Sequence, residues 1–218
     1  MKKTPRGSSL QTPRAAGLAG IVFALVLAAV IVLVRSAIPG GPGQGEAWLG
    51  SWLGRSGSRD AARAALTVLP FAGIAFLWFM GAVRSYFGDA EDKFFATVFL
   101  GSGLLFVAAL FGLAAGAGGL LAASGGHRTG TGLLVWEYGR DSSFTLLSDY
   151  CMRMAAVFAA CTSTIGRRLG VFPRWLVLLG YLIAVILLFV VPASAWFELT
   201  FPLWVLLVSI HLLVAAGP

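Results

Sequence analysis

Few residues in this chain have side chains that could do chemistry. The most unusual are Asp149 and Arg153, an acid four residues before a base within a largely apolar stretch. On a helix that spacing puts both on one face, where they can neutralise each other. An arginine at bilayer depth costs roughly 2.5–3.5 kcal/mol on insertion scales, so a pair held there marks a structural lock or a polar path. Two placements are open: a pair facing the bundle interior, joined by Glu137, Asp141 or Glu198, or an Arg153 that snorkels to the outer interface. The expectation taken forward is the buried pair.

His211 is the next candidate. It lies about 13 Å beyond Pro202 by helix rise, where a histidine can relay protons or simply bond a nearby backbone group or Ser209. Ser163 and Thr164 could in principle pair with it as nucleophile and base. However, no GxSxG or HExxH surrounds them, and hydroxyls in membrane helices usually bond their own backbone. Asp89, Glu91 and Asp92 read as a capping cluster at a helix start, not as a metal site. Cys151 and Cys161 stand about 15 Å apart on one helix, beyond the roughly 7 Å a disulfide allows, and read as buried small hydrophobes. No CxxC occurs and there are two histidines, so no catalytic, cofactor or metal residue is assigned and no cofactor is implied.

The elements that must position these residues are membrane spans. Hydrophobic residues make up 58% of the 218 and charged residues 11%, against roughly 45–50% and 25% in a soluble domain. About 20 apolar residues cross a core about 30 Å thick, and residues 64–83 do so between Arg63 and Arg84. The predicted fold is all-α, a helical transmembrane bundle of about six spans, near 16–35, 62–84, 91–122, 142–166, 173–191 and 199–216. Residues 1–14 read as a disordered tail, and 15–218 as one transmembrane domain. The apolar run 18–34 exceeds the 7–15 residues of a signal peptide core and reads as an uncleaved first helix.

Several local signals sharpen this map. Pro39-Gly40-Gly41-Pro42-Gly43 ends the first span. Trp48, Leu49, Trp52 and Leu53 form one face of a short segment, lying at the interface or packed over the bundle mouth. Asp141-Ser142-Ser143 offers N-caps for the fourth span. Pro173 suits the first turn of the fifth. On the third, Gly112 and Gly116, extended by Ala108 and Gly119, form a small-residue face, a candidate for close helix packing and, less directly, for a dimer seam.

Charge sets orientation. The net charge of +7 is scattered among loops, which argues against nucleic acid. Basic residues concentrate before the first span, at Arg84 and Lys93, and at Arg167, Arg168 and Arg174; the positive-inside rule puts these on the cytoplasmic side, with both termini.

The runs Phe76-Leu77-Trp78-Phe79, Glu91 through Gly103, Ser163-Thr164-Ile165-Gly166 and Gly170-Val171-Phe172-Pro173-Arg174-Trp175-Leu176 resemble a family of polytopic membrane proteins common in actinobacteria. The resemblance covers roughly residues 64–190. It implies a multi-span membrane protein of a high-GC bacterium and carries no activity or site residue; the expected location is the bacterial inner membrane. The leading expectation is a non-catalytic integral membrane protein, structural or partner-binding, with the lipid bilayer and a membrane protein or second copy as partners. The alternatives are a small transporter or channel using the polar fourth helix, supported by Asp149, Arg153 and His211, and a membrane-embedded enzyme.

Overall fold

The computed structural model describes residues 12–37, 56–88, 93–123, 130–190 and 195–215. The tail before residue 12, the Trp48–Leu53 face, the acidic cluster at 89–92 and the loop 124–129 lie outside them. The described residues are helical apart from short turns: α1 (Thr12–Ala37), α2 (Ser56–Phe87), α3 (Lys93–Ala123), α4 (Gly130–Thr145), a π-helical segment (Leu146–Cys151), α5 (Met152–Arg168), α6 (Arg174–Phe189), a 3-10 turn (Ala195–Leu199) and α7 (Thr200–Ala215). Five stretches are long and apolar enough to cross a membrane, and Arg174–Phe189 is a shorter apolar sixth. The chain is thus a helical bundle of the kind found in multi-pass membrane proteins.

Both faces of these helices are apolar, as expected where one meets the core and the other lipid. On α1, Gly20, Phe23, Leu27, Ile31 and Val34 are buried while Leu18, Val22, Leu25 and Val32 are exposed. On α6, Leu176, Gly180, Ile183 and Leu187 are buried against exposed Trp175, Leu178, Leu182, Val185 and Phe189. Six helices close a ring in the order α1, α2, α3, α5, α6, α7, and α4 packs on α3. Aromatic rings fill the middle. Phe76 lies 4.7 Å from Phe23, 4.9 Å from Phe106 and 4.9 Å from Phe158 between centroids, and Phe201 closes on Phe106 at 5.2 Å.

At one end the helices are level. Phe87 at the end of α2 meets Phe99 and Phe172, and Phe172 meets His211. Here α5 turns into α6 through Gly170, whose φ of 68° is a left-handed conformation that glycine adopts freely. Pro173, extended at ψ 150°, caps α6 and so stands one place before the first turn. At the other end the helices are staggered. α2 has 32 residues and α3 has 31, about 48 and 46 Å by rise, so both outrun a bilayer core of about 30 Å. The rod 130–168 is longer still, and Ser148 already lies about 30 Å above Arg168. α4, with exposed Tyr138 and Asp141, extends this rod past the length that a bilayer core needs. α2 runs through Pro70 without a break, as membrane helices tolerate when neighbours support the freed carbonyl.

Close approach between helices comes from glycines other than those expected. A Cβ at Gly112 would meet only Leu146 at 3.8 Å, and one at Gly116 only Ser143 at 3.6 Å, both ordinary contacts, and both glycines are exposed. The small face of α3 thus lies against α4 loosely. Tight sites include Gly17 and Gly20 under Leu213, Ser209 and Phe79, Gly73 under Phe111, Gly103 under Met80, and Gly180 under Ser163 and Trp204. There an added Cβ would collide with a neighbouring side chain, so the absent side chain sets the α1–α7, α2–α3 and α5–α6 spacing.

Candidate functional site

The fourth span carries the polar residues, and its backbone is irregular where they lie. The helix does not begin at the Asp141-Ser142-Ser143 caps; it already runs from Gly130. Mid-helix, the Ser142 and Ser143 hydroxyls donate to the Gly139 carbonyl at 3.1 and 2.7 Å, and Asp141 pairs with the buried Arg140 beside it. Over Leu146–Cys151 the helix widens to a π turn, and the Met152 N–H reaches the Leu147 carbonyl five residues back. A π turn adds one residue without breaking the rod and turns the side chains beyond it to new directions.

One side chain of that turn, Ser148, enters a buried cluster built from three distant parts of the chain. Arg35, in the last turn of α1, forms an ion pair with Glu198 of the 3-10 turn. Its Nε donates to Glu198 Oε2 at 3.2 Å and its Nη2 to Ser148 Oγ at 3.0 Å. Ser148 Oγ donates in turn to Glu198 Oε1 at 2.7 Å. The Arg35 guanidinium also lies 4.6 Å over the Phe144 ring, an attraction between cation and π-face. The Glu198 side chain is 0% exposed and that of Arg35 17%. A carboxylate so deep needs its lone pairs taken up, and here an arginine and a hydroxyl take them up. The cluster joins the ends of α1, α4 and α7 at the level of Ser148.

Asp149 and Arg153 do pair, at 2.8 Å, but not inside. Their side chains are 35% and 45% exposed, on the flank of the bundle. The expectation of an inward-facing pair is corrected by the π turn, which gives the inward position to Ser148 and turns Asp149 outward. Glu198 is engaged by Arg35 and Asp141 by Arg140, so neither joins them, and the Glu137 side chain lies outside the described residues. His211 is half-buried at the level end, where Nε2 stands 3.2 Å from the Val171 carbonyl and the ring packs edge-on to Phe172. Its partner is a backbone carbonyl, as one of the two expectations had it, but one 40 residues away.

The structure does not bring Ser163 to His211. Ser163 Oγ and Trp204 Nε1 converge over Gly180 instead, and both are buried without a hydrogen-bond partner. Thr162 and Thr164 bond their own backbone, and Thr164 also meets Tyr181 at 2.9 Å. Cys151 and Cys161 are buried free thiols. Among the described residues no group of three metal-ligating side chains forms. A small cleft, lined by Val34, Leu66, Leu113, Ala117, Arg140 and Phe144, opens at the staggered end above the Arg35 cluster.

Sequence reasoning missed Arg35, Ser148 and their partnership with Glu198. The available signal was weak: an arginine closing an apolar run and a lone acid opening another, 163 residues apart. No family model, curated protein or solved structure matches this chain. Fold and site together define a multi-pass helical membrane protein with a buried polar cluster at the ends of three of its described segments.

Proposed function

We propose that this chain is a non-catalytic multi-pass protein of a bacterial plasma membrane, with both termini cytoplasmic, that works by contact with a membrane partner or a second copy of itself. The observation that carries this reading is the phenylalanine packing between the Arg35–Glu198 cluster at one end and His211 at the other. A polar solute crossing the ring would have to part Phe23, Phe76, Phe106, Phe158 and Phe201. The polar groups of the cluster also satisfy one another: the Ser148 hydroxyl donates to the Glu198 carboxylate, and that carboxylate is held by Arg35. The cytoplasmic placement of the level end rests on Arg167, Arg168 and Arg174 there, by the positive-inside rule.

A second reading, a small transporter, draws support from the π turn, since such turns often occur at functional sites. Reconstitution separates the two. Vesicles carrying the purified protein and loaded with proton-, potassium- or chloride-sensitive dyes are expected to leak like empty vesicles. In the same membranes, photo-crosslinkers at lipid-facing Trp78 and Leu178 are expected to give a discrete protein adduct. A protein-dependent flux abolished by Glu198→Leu would establish transport and overturn the non-catalytic reading. Reporter fusions at Pro218 and within 125–130 should give opposite signals; a C-terminal fusion reporting the periplasm would reverse the orientation.

A further inference from the structure

The flank of α5 leaves one polar feature uncovered. Asp149 and Arg153 are held together at 2.8 Å, yet their side chains remain 35% and 45% exposed on a helical rod long and apolar enough to cross a membrane. By helix rise Arg153 stands about 22 Å and Asp149 about 28 Å from Arg168. In a core about 30 Å thick, that sets Asp149 at the membrane edge and Arg153 one turn beneath it. The level of Ser148, which touches Glu198 and Arg35 at the ends of two other spans, marks the same edge. Tyr150, 60% exposed, lies beside them and is of the type that settles at headgroup depth.

We propose that this pair seats the headgroup of a zwitterionic phospholipid with a primary ammonium, its phosphate on Arg153 and its ammonium on Asp149. The order of charges is the argument. Moving outward from the bilayer centre, the protein presents a cation and then an anion. A phospholipid headgroup moving outward presents phosphate and then ammonium. The two sequences are complementary, and they match whichever leaflet this end occupies. Stoichiometry agrees as well: a guanidinium has five donors, of which the Asp149 contact engages Nη1, and a carboxylate can accept more than one bond. A primary ammonium can donate to Asp149, whereas a quaternary choline cannot. An apolar protein helix that covered the pair would strip it of water, at a cost that often exceeds the attraction between the two charges. A headgroup arrives hydrated, charged and already at this depth. The inference is independent of the function proposed above, since a transporter would carry the same flank.

Native mass spectrometry of the full chain, released from mixed micelles, tests it. The probes are phosphatidylethanolamine, phosphatidylglycerol and phosphatidylcholine with identical acyl chains. Bound phosphatidylethanolamine is expected to exceed phosphatidylcholine about fivefold, the scale of one charge-assisted hydrogen bond at a wet interface. The charge-exchanged variant Asp149→Arg with Arg153→Asp keeps an ion pair at the same spacing but reverses its order, and should bring the ratio to about one. Should that variant not fold, Asp149→Asn alone should erase the preference for phosphatidylethanolamine over phosphatidylcholine. Equal occupancy by all three lipids in the wild type would overturn the proposal. So would a preference unchanged in the variant that folds, or a dimer in which a second copy covers Asp149 and Arg153.

Discussion

The molecule holds two acid–arginine pairs at nearly the same height, and they differ in almost every other respect. Arg35 and Glu198 are 163 residues apart, bridged by Ser148, and the carboxylate is wholly buried. Asp149 and Arg153 are one turn apart on one helix, and both stay open. The first pair can exist only if three parts of the chain dock correctly, and so it constrains the fold. The second forms wherever the helix forms. Proximity in sequence therefore marks the pair that matters less to stability, because a local pair gains little on folding that the isolated helix lacks.

The largest effect should come from halving the buried pair. Glu198→Leu leaves the Arg35 guanidinium beside Ser148 and Phe144 without its counter-charge, and should cost about 3–5 kcal/mol. Arg35→Met should cost a similar amount, while the double variant should recover most of the loss, since an apolar replacement of both partners can be nearly neutral. Thermal unfolding in detergent reads this. Losses that merely add would mean the two side chains are not coupled.

Next in size is close packing, which sets tight glycines against loose ones. Gly20→Leu and Gly180→Leu must push aside Ser209 and Phe79, or Ser163 and Trp204, and should destabilise by about 1–3 kcal/mol as overpacked sites do. Gly116→Ala, with only Ser143 at 3.6 Å, should fall within about 0.5 kcal/mol of wild type, as surface changes away from special features do. A large loss there would mean that a second copy packs on this face.

The smallest effect belongs to the open pair. Asp149→Leu and Arg153→Met should each shift stability in lipid-free detergent by less than about 1 kcal/mol, the range of exposed i,i+4 pairs. A loss of several kcal/mol from either, relieved in the double variant, would show that it is as buried as Arg35 and Glu198, and would dissolve the contrast between the two.

What the sequence determined by itself is what depends on composition and local rise. The all-helical class, the apolar spans, the arginine-rich turn at 167–174, the free cysteines and the Asp149–Arg153 contact all follow from residues within a few turns of one another. What only the tertiary structure decided is which side chains face inward and which distant ones meet. In a membrane span the lipid face is as apolar as the core face, so hydrophobic periodicity cannot say that Gly20 and Gly180 face inward or that Gly112 and Gly116 do not. The π turn inserts one residue into the fourth span, and sequence periodicity carried no sign of it; it put Ser148 in the cluster and Asp149 on the flank. Nothing local ties Arg35 to Glu198. Their pairing is chosen by the ring order of the helices, which brings the end of α1 against the start of α7, where two charges leaving water had only each other and a serine to satisfy them.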